Sequence, residues 1–246
     1  GCDQPGSCQA TPIHNNQFHV NLGGPIVKDK AFLFGFYEGQ RLKSVAVAGR
    51  SVPSTGDIAA ARQYISDAGL ETDPVGEALL SYFPVTPTGE FVQAIPTTAS
   101  SNEFGLKFDY KLNSRNSLAA RYIFGDSLQS GPPFAGLPAG GNNSPDLFNS
   151  YAPSRAQMAG LSWTWNMSNN KILESRLGFT RFSQVLGVNN HVNPNDLGID
   201  TGPLDPSDFG VPYVYLYHLQ YGGYIGGVQG YPISTRPDQT WDWSEH

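Results

Sequence analysis

Six tyrosines crowd the stretch PYVYLYHLQYGGYIGGVQGYP, residues 212–232: Tyr213, Tyr215, Tyr217, Tyr221, Tyr224 and Tyr231. Each offers a flat apolar ring and a hydroxyl, which suits stacking and hydrogen bonding to a sugar, a peptide or a metal chelate. The same rings serve equally well to pack a loop against its neighbours. GGYIGG at 222–227 lacks the strand–turn–helix setting of a nucleotide loop and reads as loop flexibility. His14, His19, His191, His218 and His246 are scattered, with no i,i+4 pair of the kind that ligates zinc. Asn195, Asp196, Asp200, Asp205 and Asp208 make an acidic loop whose spacing does not fit an EF-hand. Solvated carboxylates suit it better than a calcium site. Cys2 and Cys8 flank Asp-Gln-Pro-Gly-Ser, which allows either a small disulfide loop in an oxidising compartment or two free thiols. No G-x-S-x-G, H-E-x-x-H or Walker-type loop occurs. The chemistry expected is recognition, with no catalytic residue, metal or cofactor.

Composition narrows the scaffold that must carry these residues. The chain has 246 residues, enough for one large β domain or two small ones. Charged residues make up 15%, well below the roughly 25% usual in soluble domains. The net charge of -6 and the absence of a basic stripe argue against a nucleic-acid partner. No apolar run approaches the roughly 18 residues of a transmembrane helix. Transmembrane strands stay open, because their hydropathy signal is weak per segment. The chain opens on Gly1-Cys2 and stops at TWDWSEH inside a strand-like pattern, which reads as an internal piece of a longer protein.

Three hairpins stand out. In the first, Phe18, Val20 and Leu22 alternate until Gly23-Gly24-Pro25, a charged knot Lys28-Asp29-Lys30 comes next, and Phe32, Phe34, Phe36 and Tyr37 form an aromatic return. In the second, Phe104, Leu106, Phe108, Tyr110 and Leu112 share one face, and Lys107, Asp109 and Lys111 the other. Asn113-Ser114-Arg115-Asn116 turns the chain, and Leu118, Ala120, Tyr122 and Phe124 return opposite Arg121. In the third, Ala159, Leu161, Trp163 and Trp165 alternate with small polar residues, Ser168-Asn169-Asn170-Lys171 turns, and Leu173, Leu177 and Phe179 return against Glu174, Arg176 and Thr180. A seventh strand is expected to begin at Trp241 and Trp243. Between hairpins lie long segments, 44–101, 127–155 and 187–238. Asp57 and Asp73-Pro74 are helix starts in the first of these.

Short polar turns thus alternate with long loops, which a compact soluble domain seldom needs and a transmembrane barrel does. The apolar faces pack either on lipid or on a second sheet, and a β-sandwich is the competing architecture. The small, polar and sparsely charged opposite faces suit a wet lumen better than a sandwich exterior. Trp163, Trp165, Tyr110 and Tyr122 near strand ends suit an interfacial girdle. The expected fold is therefore all-β, an antiparallel transmembrane β-barrel fragment of six or seven strands.

The stretch NQFHVNLGGPIVKDKAFLFGFYEGQR, 16–41, resembles the barrel of TonB-dependent outer-membrane receptors, particularly the Oar-like group. Asn16, Gln17, Phe18, Leu22, Gly23, Gly24, Pro25, Ile26, Lys28, Asp29, Lys30, Phe32, Phe34, Gly35, Tyr37, Glu38, Gly39 and Arg41 carry that pattern, with His19 and Leu33 departing from it. VPS at 52–54, DPVGEALLSYFP at 73–84 and NEFGLKFDYKLNSRNSL from 102 resemble later segments of such receptors. The resemblance implies a bacterial outer-membrane location, a barrel of about 22 strands and an N-terminal plug domain. It further implies a TonB complex acting through that plug, with outer-membrane lipid and an unknown small ligand or peptide as the other partners. Plug and TonB box are absent from these residues. A passive porin, a structural outer-membrane protein and a secreted β-rich binding or glycan-active domain are the competing functions.

Overall fold

The structure, a computed structural model, describes residues 12–131, 149–200, 202, 204–212, 214–215, 224–225 and 233–246. Cys2, Cys8, Tyr213, Tyr217, Tyr221 and Tyr231 lie outside the described residues. The strands are β1 (His14–Val27), β2 (Ala31–Ser51), β3 (Glu90–Lys111), β4 (Asn116–Gly131), β5 (Ser150–Ser168), β6 (Lys171–Val188), β7 (Val214–Tyr215), β8 (Tyr224–Ile225) and β9 (Ile233–Glu245). Seven of them form one antiparallel sheet in the order β1-β2-β3-β4-β5-β6-β9, and β7 pairs with β8 alone. The large sheet is an open meander whose edges are β1 and β9. No helix among the described residues is long and apolar enough to cross a membrane.

Each turn has its local cause. Asp29 takes a positive φ of 57° in the Lys28–Lys30 turn, a conformation Asp tolerates better than most residues. Asn113 Oδ1 accepts from the Arg115 and Asn116 backbone N–H groups, both at 2.9 Å, closing the second turn as an Asx-turn. Asn169 and Asn170 close the third.

Three expectations are corrected. β1 does not halt at Gly23 but runs through Gly-Gly-Pro to Val27. Gly23 is needed because the Phe34 ring crosses it, 2.9 Å from where a Cβ would sit. Pro25 is tolerated because the β1–β2 register is irregular between Pro25 and Val27, where the ladder does not need its missing N–H. The strands are also longer than alternation alone indicates. β2 and β3 pair continuously out to Ser51 and Glu90, and β9 starts at Ile233 rather than Trp241. The loops shrink accordingly to 52–89, 132–149 and 189–232. Finally, Ser54 rather than Asp57 caps α1 (Thr55–Asp67). Asp57 sits three residues on and returns the bond to the Ser54 N–H, a capping box. Asp73 does cap α2 (Pro74–Leu80), with Pro74 in its first turn.

The register sorts side chains onto two faces. On one, Leu22, Leu33, Phe104, Leu106, Phe108, Leu118, Tyr122, Phe124, Leu161, Trp163, Leu177, Phe179, Trp241 and Trp243 form a continuous apolar belt across the sheet. This belt is not a core: Leu22 is 82% exposed and Trp243 71%. On the other face Lys107, Arg121, Ser162, Gly160, Glu174, Arg176, Thr180 and Asp242 lie among small residues. The aromatic run of β2 is split between the two. Tyr37 joins the belt, whereas Phe32, Phe34 and Phe36 lie on the polar face with His19 and Glu38. There Phe34 lies over Gly23 and Phe36 over Gly105, where a Cβ would collide with the Phe36 ring.

Candidate functional site

A single sheet buries little, and four of the five buried apolar side chains among the described residues gather at its loop end: Val52, Phe83, Val188 and Val211. Val52, Phe83 and Val211 form one cluster, packed by Leu79, Leu80 and Tyr82 around α2 and by Val192, Leu197 and Val214 from the later loop. Loops 52–89 and 189–214, over a hundred residues apart, therefore share one core. The base of the first is closed by Val52 N–H donating to Gly89 O (2.8 Å) and Thr55 N–H to Thr86 O (3.0 Å). The second is tied by Asn190, fully buried, whose Oδ1 accepts from Val211 N–H at 2.7 Å. Asn149, also buried, accepts from Asn189 N–H at its backbone oxygen (3.0 Å) and donates through Nδ2 to Pro96 O (3.3 Å). These two asparagines hold the loops to the ends of β3, β5 and β6.

The exposed side of this cap is charged. Arg62 on α1 and Glu77 on α2 form a bidentate pair, with Nη2 to Oε2 at 2.6 Å and Nε to Oε1 at 3.2 Å. The hydrogen bond from Arg62, aided by its charge, holds the Glu77 carboxyl below the usual range. Asp205 is lowered by the Ser207 backbone N–H it accepts (2.9 Å), as the cap of a one-turn 3-10 helix, Pro206–Asp208. Burial pushes the Tyr82 hydroxyl up. The acidic loop thus does structural work: Asn193 and Asp205 cap short helices, and Asp200 accepts from Gly202 N–H. Among the described residues no three His, Cys, Asp or Glu side chains gather in a way that could hold a metal ion.

Of the six candidate tyrosines, the structure places the backbone of two. Tyr215 and Tyr224 face each other in the β7–β8 pair, one residue beyond Val214 of the cap core. Leu79, Leu80 and Phe83 are legible as the apolar side of the helix that Asp73-Pro74 starts, and the residues that sequence reasoning missed are their partners Val52 and Val211 and the two asparagines. They carry no local signal, since Val52, Phe83 and Val211 meet only in space.

The polar face holds a trough of about 580 Å³ lined by Lys107, Arg121, Glu174, Arg176, Thr180 and Asp242 among others. Lys107 pairs with Asp109 at 2.9 Å and Arg176 with Glu174 at 2.8 Å, each along its own strand. Arg121 stretches over Gly160, its Nε 3.1 Å from where a Cβ would lie.

The belt is bounded by polar aromatics at both ends. At the turn end Trp163 stacks on Trp165 (5.9 Å, 11°) and donates through Nε1 to Asn116 Oδ1 (3.1 Å). Toward the loop end the Tyr37 hydroxyl donates to Asn102 Oδ1 (2.9 Å), and Gln157 Nε2 donates to the Tyr122 hydroxyl (2.8 Å). Trp165 and Arg155, ten residues apart on β5, bracket this belt. At roughly 3.3 Å per residue and a tilt of about 40°, that is a height of about 25 Å, the apolar band of a membrane barrel.

Comparison with family models decides between lipid and a second sheet: residues 4–246 match the outer membrane beta barrel domain. The chain belongs to this family. Comparison with curated proteins and with solved structures finds no match. The barrel domain lies in the bacterial outer membrane, its belt faces lipid, and its polar face lines the lumen. Trp163 and Leu177 are lipid-facing, and Ser162 and Arg176 lumenal. The Phe32–Phe34–Phe36 strip belongs to the lumen wall, against the expectation that the aromatic return strand faces one way.

Proposed function

We propose that the chain is the barrel portion of an outer-membrane receptor that captures a scarce ligand at its loop end and imports it in a TonB-dependent way. The observation that carries this reading is the shared core of loops 52–89 and 189–214 around Val52, Phe83 and Val211. A passive pore needs a mouth that stays open. A recognition surface needs loops held in one arrangement by a rigid scaffold. The likeness of residues 16–41 to Oar-like TonB-dependent receptors supports the finer identification, and with it a plug domain as the link to the TonB complex. The work is binding and release, not bond chemistry. Ligand meets the cap and the tyrosine-rich segment 212–232, where rings stack on it and hydroxyls bond to it. A sugar, a peptide and a metal chelate all fit that chemistry.

The mixed-charge trough on the lumen wall supports a second reading, a passive porin. One experiment separates them. The full-length gene is expressed with and without its TonB-interacting segment. Growth is then compared on a panel of scarce iron chelates, oligosaccharides and peptides. Loss of one substrate with the barrel still folded is the expected result. Unchanged uptake of every substrate would leave the porin.

A further inference from the structure

The charges on the lipid-facing surface are unevenly distributed. At the loop-end edge of the belt, from the row of Gln157 to that of Thr98, the register places Arg41, Lys43, Arg155 and Arg181 outward, with Asp126 as the lone acid. This basic rim stands out in a chain of net charge -6. Lys43, Arg155 and Arg181 make no ion pair with a described residue. The Arg155 guanidinium lies over the Phe124 ring at 5.2 Å, and Arg41 over the Phe18 ring at 5.5 Å. Arg41 is anchored by donating to Ser101 O and Asn102 Oδ1, both at 2.7 Å, and Asn102 Nδ2 donates to Asp126 Oδ1 at 3.2 Å.

Two depressions meet at this rim. Between β3 and β6 a trough of about 390 Å³ is lined by Asn102, Asp126, Pro153, Arg155 and Ser183. Below it, between β1 and β3, a groove of about 670 Å³ is lined by Leu22, Leu33, Phe104 and Leu106, with Gly24 leaving open space in its wall. Asn102 and Phe104, two residues apart on one face of β3, belong to the trough and the groove respectively.

We propose that this outward surface is a docking site for a phosphate-bearing lipid of the outer leaflet, its headgroup against Arg41, Asn102 and Arg155 and an acyl chain in the groove beside Gly24. Interfacial cations attract anionic headgroups, and an apolar groove at acyl-chain depth adds shape to that attraction. The inference rests on the membrane orientation of the barrel and is independent of the transport reading.

The test uses the full-length barrel, purified in neutral detergent and probed by native mass spectrometry with diphosphorylated lipid A and with the same lipid dephosphorylated. The wild type retains the phosphorylated form. At about fivefold per cation, the triple variant R41Q/R155Q/R181Q binds it about a hundredfold more weakly, while the lumenal control K111Q binds as the wild type does. Millimolar inorganic phosphate leaves the lipid in place. Equal binding of both lipids by the wild type overturns the proposal, and this comparison needs no variant to fold. So does a folded triple variant with undiminished binding, or displacement of the lipid by inorganic phosphate, which would mean an anion site unrelated to the bilayer.

Discussion

Leu177→Arg tests the orientation on which everything else depends. Leu177 stands opposite Leu161 on β5 and Trp243 on β9, in the row Leu33, Phe108, Ala120, Leu161, Leu177, Trp243. On β5 that row is midway between Trp165 and Gln157, about 10 Å of height from either, so it sits near the bilayer midplane. A lipid-facing arginine at the midplane costs roughly 2–4 kcal/mol, and snorkelling cannot carry the guanidinium far enough to recover it. At about 3 kcal/mol the folded-to-unfolded ratio falls about 150-fold. Thr180→Arg, three residues on, is the matched control. Thr180 pairs with Met158 and Thr240 on the lumenal face and lines the wide trough with Arg121 and Arg176, where another cation meets water. The assay is folding of the full-length barrel into vesicles across a urea series, read by the shift in gel mobility of unheated samples. Leu177→Arg is expected to lower the midpoint or abolish the folded band, and Thr180→Arg to stay within about 1 kcal/mol of the wild type. Equal losses, or the reverse order, would refute the face assignment.

Single cysteines at Asn170 and Ser207 test sidedness: an impermeant thiol reagent on intact cells should label Ser207→Cys in the loop 189–232 and spare Asn170→Cys in the β5–β6 turn. Gly105→Val should cost about 1–3 kcal/mol of folded barrel, because its Cβ meets the Phe36 ring, and Phe36→Ala should recover most of it in a double-mutant cycle. The Arg62–Glu77 pair gives the cap a pH response. The Glu77 carboxyl is lowered in the folded cap, so its contribution is present above the ordinary carboxylate pKa and fades as pH falls through the folded value. Protease cleavage in the 68–73 linker of the intact barrel protein should rise in that acidic window, and Glu77→Gln should abolish the change.

The alternating strands were legible because register and solvent meet at each residue. Phe104 to Tyr110 and Leu161 to Trp165 each need one apolar environment on every second side chain, and that demand is written locally. The Phe32–Phe34–Phe36 strip misled for the same reason. Its rings are apolar yet lumenal, two of them, Phe34 and Phe36, covering Gly23 and Gly105 on the neighbouring strands, and only pairing reveals which glycine lies under which ring. The strand ends were illegible because pairing, rather than alternation, extends β2 and β3 through Ala-rich and Thr-rich segments at 46–51 and 94–100. The cap is the extreme case. Asp73-Pro74 announces α2, but its partners Val192, Leu197 and Val211 arrive more than a hundred residues later.

These gaps share a physical origin with the function. In this chain lipid is the solvent for the apolar face, so the sheet needs no second layer and its pattern can be read one strand at a time. The loop end has water on every side and must build its own core from whatever the connections supply. Among the described residues that is where most side chains are buried as in a soluble domain, with Val52, Phe83 and Val211 enclosed and Asn190 fully buried between two loops. A small core of this kind contributes few kilocalories, and most residues of the loops around it are exposed, so opening it costs less than disturbing the sheet. A ligand that binds across loops 52–89 and 189–214 can therefore bias their packing without unpairing a strand. That division, a wall stabilised by lipid and a cap poised near the low end of stability, is what the proposed receptor role would require of this sequence.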